Sequence, residues 1–267
     1  MSSQPVPFPR RFRRPLLGAV GLLGFLAVWQ LIPMLGLIDR EYLPYTTDVG
    51  ARLAHEFADL AFWRRLGLTM QTWAIGLTIA SLAALVLGTV IGLVPFLRRA
   101  THTTVEFLRP IPSVAIVPIA VIIQGISMQA ALIITVYASF WQMFVQVLYG
   151  VADVDVVARD TARSFGLTRS ERLAKLVLPT ALPYVTTGLR LAASVALILA
   201  ITSEMVIGNP GLGTLIMFSR STPGDAAGLY AFVVVAGLLG VTINAVFRLV
   251  ERRLLFWHQS VRGEEVL

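Results

Sequence analysis

Apolar residues in this chain come in long uninterrupted runs, not at the alternation of strands or the narrow stripes of surface helices. Leu16 to Ile38 is free of charge and, at about 1.5 Å per residue, long enough to cross a hydrocarbon core of about 30 Å. Leu66 to Leu97 is a second such run, ended by Pro95 and Arg98-Arg99. No charge occurs between Arg109 and Asp153, which allows two crossings turned at residues 124–129. The first of these is expected to be short and broken, because Pro110, Pro112 and Pro118 interrupt helical hydrogen bonding. Ala130 to Tyr149 follows, then a fifth run at about Pro183 to Ile207 and a sixth at about Ala226 to Phe247. Leu53, Phe57, Leu60 and Trp63 recur at helical spacing and predict an amphipathic surface helix over Val49 to Trp63. Gly88 and Gly92, four positions apart, allow close helix packing.

Composition agrees with these runs. The 267 residues are 56% hydrophobic and 14% charged, with mean hydropathy +0.76, too apolar for a soluble surface. Backbone in lipid must satisfy its own hydrogen bonds, and unbroken runs select helices over barrel strands. The expected fold is all-α, a polytopic transmembrane helix bundle of about six spans. A net charge of +7 raises the question of nucleic acid, but that requires a basic face with base-reading residues. Here the basic residues sit at the ends of apolar runs. They cluster in Arg10 to Arg14, Arg98 to Arg109, Arg159 to Lys175 and Arg248 to Arg253. Those segments share one side of the membrane, so both termini are expected in the cytoplasm. Residues 1–15 read as a basic cytoplasmic tail and 16–267 as the transmembrane domain, with 150–183 as a cytoplasmic loop. A cleaved signal peptide is disfavoured, since the first apolar run is long and Gly36 to Arg40 offers no small-residue cleavage site.

The chain has no cysteine, which removes disulfides, thiolate metal sites and cysteine nucleophiles. His55, His102 and His258 are far apart and suggest no metal site. His55-Glu56 lacks the second histidine of a zinc protease, since Asp59 stands there. With no nucleophile and base constellation, no enzyme activity is expected.

The loop at 150–183 is too long and too patterned to be a plain connection. Val154, Val157, Ala158, Ala162 and Phe165 form one helical stripe, and Gly166 suits the left-handed position that closes a helix. Thr168 with Glu171 fits a capping box opening a second helix, which carries Leu173, Leu176 and Val177 and stops at Pro179. A helix, tight turn and helix on the inner face reads as a protein-docking element; a DNA reader tethered between two spans is improbable.

Here the sequence resembles a known family. Asp160-Thr161-Ala162, then Gly166, then Leu176-Val177-Leu178-Pro179 is similar to the EAA loop of permeases of binding-protein-dependent ABC importers. Asp160 replaces Glu, Thr161 the first Ala, and Leu176 an Ile. The resemblance runs over roughly Trp63 to Trp257. It includes Leu108-Arg109-Pro110-Ile111-Pro112-Ser113, Gly211-Leu212-Gly213 and Glu251-Arg252-Arg253-Leu254, as in the nitrate, sulfonate and taurine branch; Ile123-Gln124-Gly125 departs from that branch's Trp-Phe-Gly. The resemblance implies a prokaryotic cytoplasmic-membrane permease paired with a second permease subunit as a homodimer, cytoplasmic ATP-binding subunits gripping the EAA helices, and an extracytoplasmic solute-binding protein. It assigns ATPase coupling to Asp160, Thr161, Ala162, Gly166, Leu176, Leu178 and Pro179, and implies a small anion such as a sulfonate, or a vitamin precursor, as solute. No Walker A loop is present, the only lysine being Lys175, so ATP is expected on the partner and no cofactor on this chain.

Arg190 and Glu204 are the only charges inside the expected spans, and such residues face a bundle interior or water. A structural pair or snorkelling explains Arg190 as well as function does, whereas Glu204 points to an outer gate or a binding-protein contact. Pro112 and Ser113 are candidates for lining the pathway. The rival reading is a stand-alone secondary transporter or channel, which would be expected to carry paired carboxylates deep in its spans.

Overall fold

The computed structural model describes residues 10–255, with side chains from Leu16 onward. The elements are α1 (Arg10–Met34), α2 (Thr46–Ala58), α3 (Leu60–Leu93), α4 (Pro95–Leu108), a 3-10 turn at Ser113–Ile116, α5 (Val117–Gln124) and α6 (Met128–Ala152). They continue with α7 (Val156–Ser164), α8 (Arg169–Arg172), a π-turn at Leu173–Val177, α9 (Leu178–Ile207), α10 (Leu212–Ser221) and α11 (Ala226–Leu254). No strand occurs among the described residues. Five helical stretches are long and apolar enough to cross a membrane, and a sixth crossing arises if α4 and the Ser113–Gln124 stretch count as one span bent by 83°. The expected all-α, roughly six-span bundle is thus what the chain builds.

Two compact units divide the described residues. In the first, residues up to Phe62 with 216–234, α1 leaves Leu17, Val20, Leu23 and Phe25 exposed, as suits a helix whose solvent is lipid. It starts at Arg10, inside the segment read as tail; residues 1–9 lie outside the described residues. The indole N–H of Trp29 donates to Pro44 O at 3.0 Å and the Tyr230 hydroxyl to Tyr42 O at 2.9 Å, which pins the loop after α1. The amphipathic helix expected to reach Trp63 ends five residues earlier. Asp59 is extended (φ −89°, ψ 123°) and its carboxylate accepts from Ala61 N at 2.9 Å, so it ends α2 and caps α3.

The second unit, 63–215 with residues from 235 onward, is organised by glycines. A Cβ on Gly76, Gly88 or Gly92 of α3 would meet Thr135, Val147 or Val151 of α6 at 2.7, 2.8 or 2.9 Å. The three pairings keep one constant offset, so α3 and α6 run parallel in close contact. Gly150 of α6 faces Ala181 and Tyr184, and Gly188 of α9 faces Gln146 and Met143. There the numbering runs oppositely, so α6 and α9 are antiparallel. Val117 and Ala120 of α5 close one core with Ala130, Ala131, Ile134 and Ile207. Pro95 opens α4 at its first turn, where its missing N–H costs nothing, instead of ending the second apolar run. At the break after α4 the Leu108 carbonyl accepts from Ile111 N at 3.2 Å and from the Tyr137 hydroxyl at 2.6 Å.

The expected stop at Pro179 is not observed: helix is continuous from Arg169 to Ile207, 39 residues. The π-turn explains this. Leu178 N bonds back to Leu173 O, five residues away; this widened turn makes room for a proline ring that would clash with a regular α-helical carbonyl. At about 1.5 Å per residue the helix is roughly 58 Å long, about twice a hydrocarbon core, so it extends well beyond the apolar crossing.

Candidate functional site

The segment after α6 forms the expected hairpin. Asp155 caps α7 by accepting from Val157 N at 2.6 Å and Ala158 N at 3.4 Å. The helix closes as a Schellman motif: Gly166 N donates to Arg163 O at 2.9 Å and Leu167 N to Ala162 O at 3.0 Å. Gly166 has φ +73°, the left-handed region where a Cβ is costly. The capping box is complete, Thr168 N donating to Glu171 Oε2 at 2.9 Å and Glu171 N to Thr168 Oγ1 at 3.3 Å. Thr168, through its backbone N–H and then its hydroxyl, with Lys175 adding its charge, holds the Glu171 carboxyl below the usual carboxylate range.

The hairpin stands on a tight base. Gly150 abuts Ala181 and Tyr184, and the Tyr184 hydroxyl donates to Asp153 Oδ2 at 2.9 Å. Val154 and Val177 are buried, while Val156, Val157 and Phe165 are exposed, the last by 80%. The expected stripe therefore splits: Val154 anchors the hairpin, and Val157 with Phe165 faces away from the bundle. Asp160, Thr161, Gly166, Leu178 and Pro179 are exposed; Ala162 and Leu176 are half-buried.

Arg190 donates to Glu251 Oε2 at 3.1 Å, joining α9 to the C-terminal end of α11. It also lines a groove of about 620 Å³ with Ser194, Thr202 and Asn244 among its polar walls. Pro112 and Ser113 do not line that groove; Pro112 precedes the 3-10 turn and Ser113 opens it. Glu204 is fully buried among the described residues. Its Oε2 accepts from the Thr69 hydroxyl and from Gly213 N, both at 2.9 Å, while Leu212 N donates to Thr69 Oγ1 at 2.8 Å. The carboxylate thus sits at the N-terminus of α10, where free N–H groups and the helix dipole favour an anion. Gly211 and Gly213 are needed there: a Cβ would lie 2.1 Å from the Glu204 carboxyl carbon or 2.2 Å from Ile201 O.

The sequence marked Glu204 and Arg190 as buried charges but not their partners. Thr69 and Glu251 lie 135 and 61 residues away from them, and no local pattern links such positions. Asp155, by contrast, carried a readable signal, a cap residue just before an apolar helix start.

The profile of the family described as "Binding-protein-dependent transport system inner membrane component" matches residues 76–256. The chain is 29% identical over 245 residues to the taurine transport system permease protein TauC of Escherichia coli, covering 89% of this chain and 88% of that one. It is 31% identical over 223 residues to the bicarbonate transport system permease protein CmpB of Synechocystis sp., covering 78% of each. Among solved structures, the fold is shared with the MetNI methionine ABC transporter in an inward-facing conformation, with TM-score 0.63 and 18% identity over 71% of this chain and 94% of that chain. The chain belongs to the inner membrane components of binding-protein-dependent transport systems and is a membrane-spanning permease subunit of an ATP-binding-cassette transporter.

Proposed function

We propose that this permease imports a small anion across a prokaryotic cytoplasmic membrane as a homodimer, with residues 150–183 as the coupling hairpin for cytoplasmic ATP-binding subunits. An extracytoplasmic solute-binding protein delivers the solute, both termini lie in the cytoplasm, and the chain has no catalysis, ATP or cofactor of its own. The observation that carries this reading is the hairpin: a rigid, doubly capped turn whose apolar side chains Val156, Val157 and Phe165 face outward, continuous with a 39-residue helix that enters the bundle. Exposed apolar groups on a cytoplasmic element call for a protein cover. A push on Asp160, Thr161, Ala162 and Gly166 passes through Leu176, Leu178 and Pro179 into α9 and so to Arg190 and Glu204 as a rigid-body movement. Relatives carrying taurine and bicarbonate support an anionic group on the solute, and the Arg190 groove supplies a cation for it; Pro112 and Ser113 are assigned to the pathway at the α4–α5 bend.

The test is copurification with the cognate ATPase. Phe165→Asp is expected to abolish retention of the ATPase subunit while leaving the permease in the membrane at wild-type level. Full retention, or solute uptake by the permease alone in ATP-free liposomes, defeats the reading.

A further inference from the structure

A second cavity, of about 1190 Å³, lies between the α3–α4 corner and the hairpin. Arg98, Arg99, Arg159, Arg163, Arg169 and Arg172 line it, and no aspartate or glutamate does. Among the described residues, only Arg163 of these six has an ion-pair partner, Asp160 at 3.4 Å. His102 adds a titratable ring to the same wall. Basic residues at span ends are ordinary orientation signals, but those act singly. Here two arginines of α4 and four of the hairpin, about sixty positions on, converge on one concavity.

Apart from the hydroxyls of Thr103 and Ser170, the other walls are apolar. Leu93, Val94, Val151, Leu173 and Val177 contribute, which a site for a freely dissolved anion does not need. Leu93 and Val94 are also the last members of an exposed stripe with Val86, Leu87 and Val90. Val86, Leu87, Val90 and Leu93 share one helical face that runs up α3 from the cavity, with Val94 just past its end. α3 gives way to α4 at Val94 and Pro95, and the arginines Arg98 and Arg99 follow within one turn.

We propose that this cavity binds the phosphate headgroup of an anionic phospholipid, whose acyl chains lie along the Val86 to Val94 stripe. Guanidinium forks suit phosphate oxygens by bidentate hydrogen bonding, and basic pockets between helices at the cytoplasmic surface suit headgroups of this kind. The bound phosphate neutralises a repelling cluster and ties α4 to the hairpin, so the lipid sets how firmly the hairpin is held against the bundle. The coupling assignment of the hairpin enters only in choosing the inner leaflet.

The experiment uses the full-length protein in neutral detergent, with lipid retention read by native mass spectrometry and stability by thermal unfolding. Diphosphatidylglycerol in mixed micelles is expected to stay bound through delipidation and to raise Tm by several degrees, whereas phosphatidylcholine and inorganic pyrophosphate do neither. The double substitution Arg98→Gln and Arg99→Gln should weaken retention about thirtyfold, and the Lys pair at the same positions should recover most of it. An unchanged Tm of the Gln pair in phosphatidylcholine micelles separates this loss from misfolding. The proposal is overturned if the Gln pair retains the lipid as tightly as wild type, if pyrophosphate alone gives the full Tm shift, or if added ATPase subunit displaces the lipid. Since micelles contain no ATPase and no leaflets, the lipid site can fail while the coupling reading stands, and the reverse.

Discussion

At the scale of single residues, two positions carry distinct loads. Gly166 fixes the hairpin angle at φ +73°, with nothing within 4 Å of the point where a Cβ would stand, so a substitution there is opposed by backbone conformation and not by crowding. Gly166→Val is expected to cost about 1–2 kcal/mol and to change the angle between α7 and α8. Reconstituted with its ATPase, the variant should hydrolyse ATP while uptake falls at least several-fold; wild-type uptake would remove Gly166 from coupling. Glu204 acts differently, as a buried acceptor at the start of α10. Glu204→Ala strips the Gly213 N–H of its acceptor and leaves the Thr69 hydroxyl only the Arg65 carbonyl at 3.4 Å, at a cost of about 1–3 kcal/mol for the buried N–H left unsatisfied. A fall in Tm of several degrees in detergent is the expected result, and an unchanged Tm would show that the cap contributes nothing.

At the scale of elements, helix contacts in lipid depend on close approach, because apolar helices gain little by leaving lipid for one another. The glycine row Gly76, Gly88 and Gly92 therefore matters more to the α3–α6 pair than its apolar neighbours do. Gly88→Val brings new carbons against Val147, already 2.8 Å from a bare Cβ, and overpacking of this kind costs about 1–3 kcal/mol. Gly21→Ala in α1, with nothing within 4 Å, should leave stability unchanged or raise it slightly. Comparing the two Tm values tests the packing argument, and equal values would sink it.

At the scale of the whole molecule, the assignment depends on which side of the membrane the hairpin occupies. The natural absence of cysteine makes this directly measurable with Ser164→Cys, an exposed position at the end of α7. A membrane-impermeant maleimide should label it in inside-out vesicles and not in intact cells. Labelling from outside would reverse the topology and end the coupling proposal.

The sequence alone was enough for the class of fold, most of the crossings and the hairpin, because these follow from local rules. Apolar run length answers to bilayer thickness, and caps such as Thr168 with Glu171 and the closing Gly166 answer to backbone groups within a few residues. Pro179 misled because proline's local effect was overridden by a π-turn, whose extra residue per turn removes the clash. Only the tertiary structure decided which charges meet: Glu204 with Thr69 and Gly213, Arg190 with Glu251, and the arginines of α4 with those of the hairpin. Those meetings depend on the register between helices distant in sequence, set by where glycines permit close approach, and no period along a single helix encodes it.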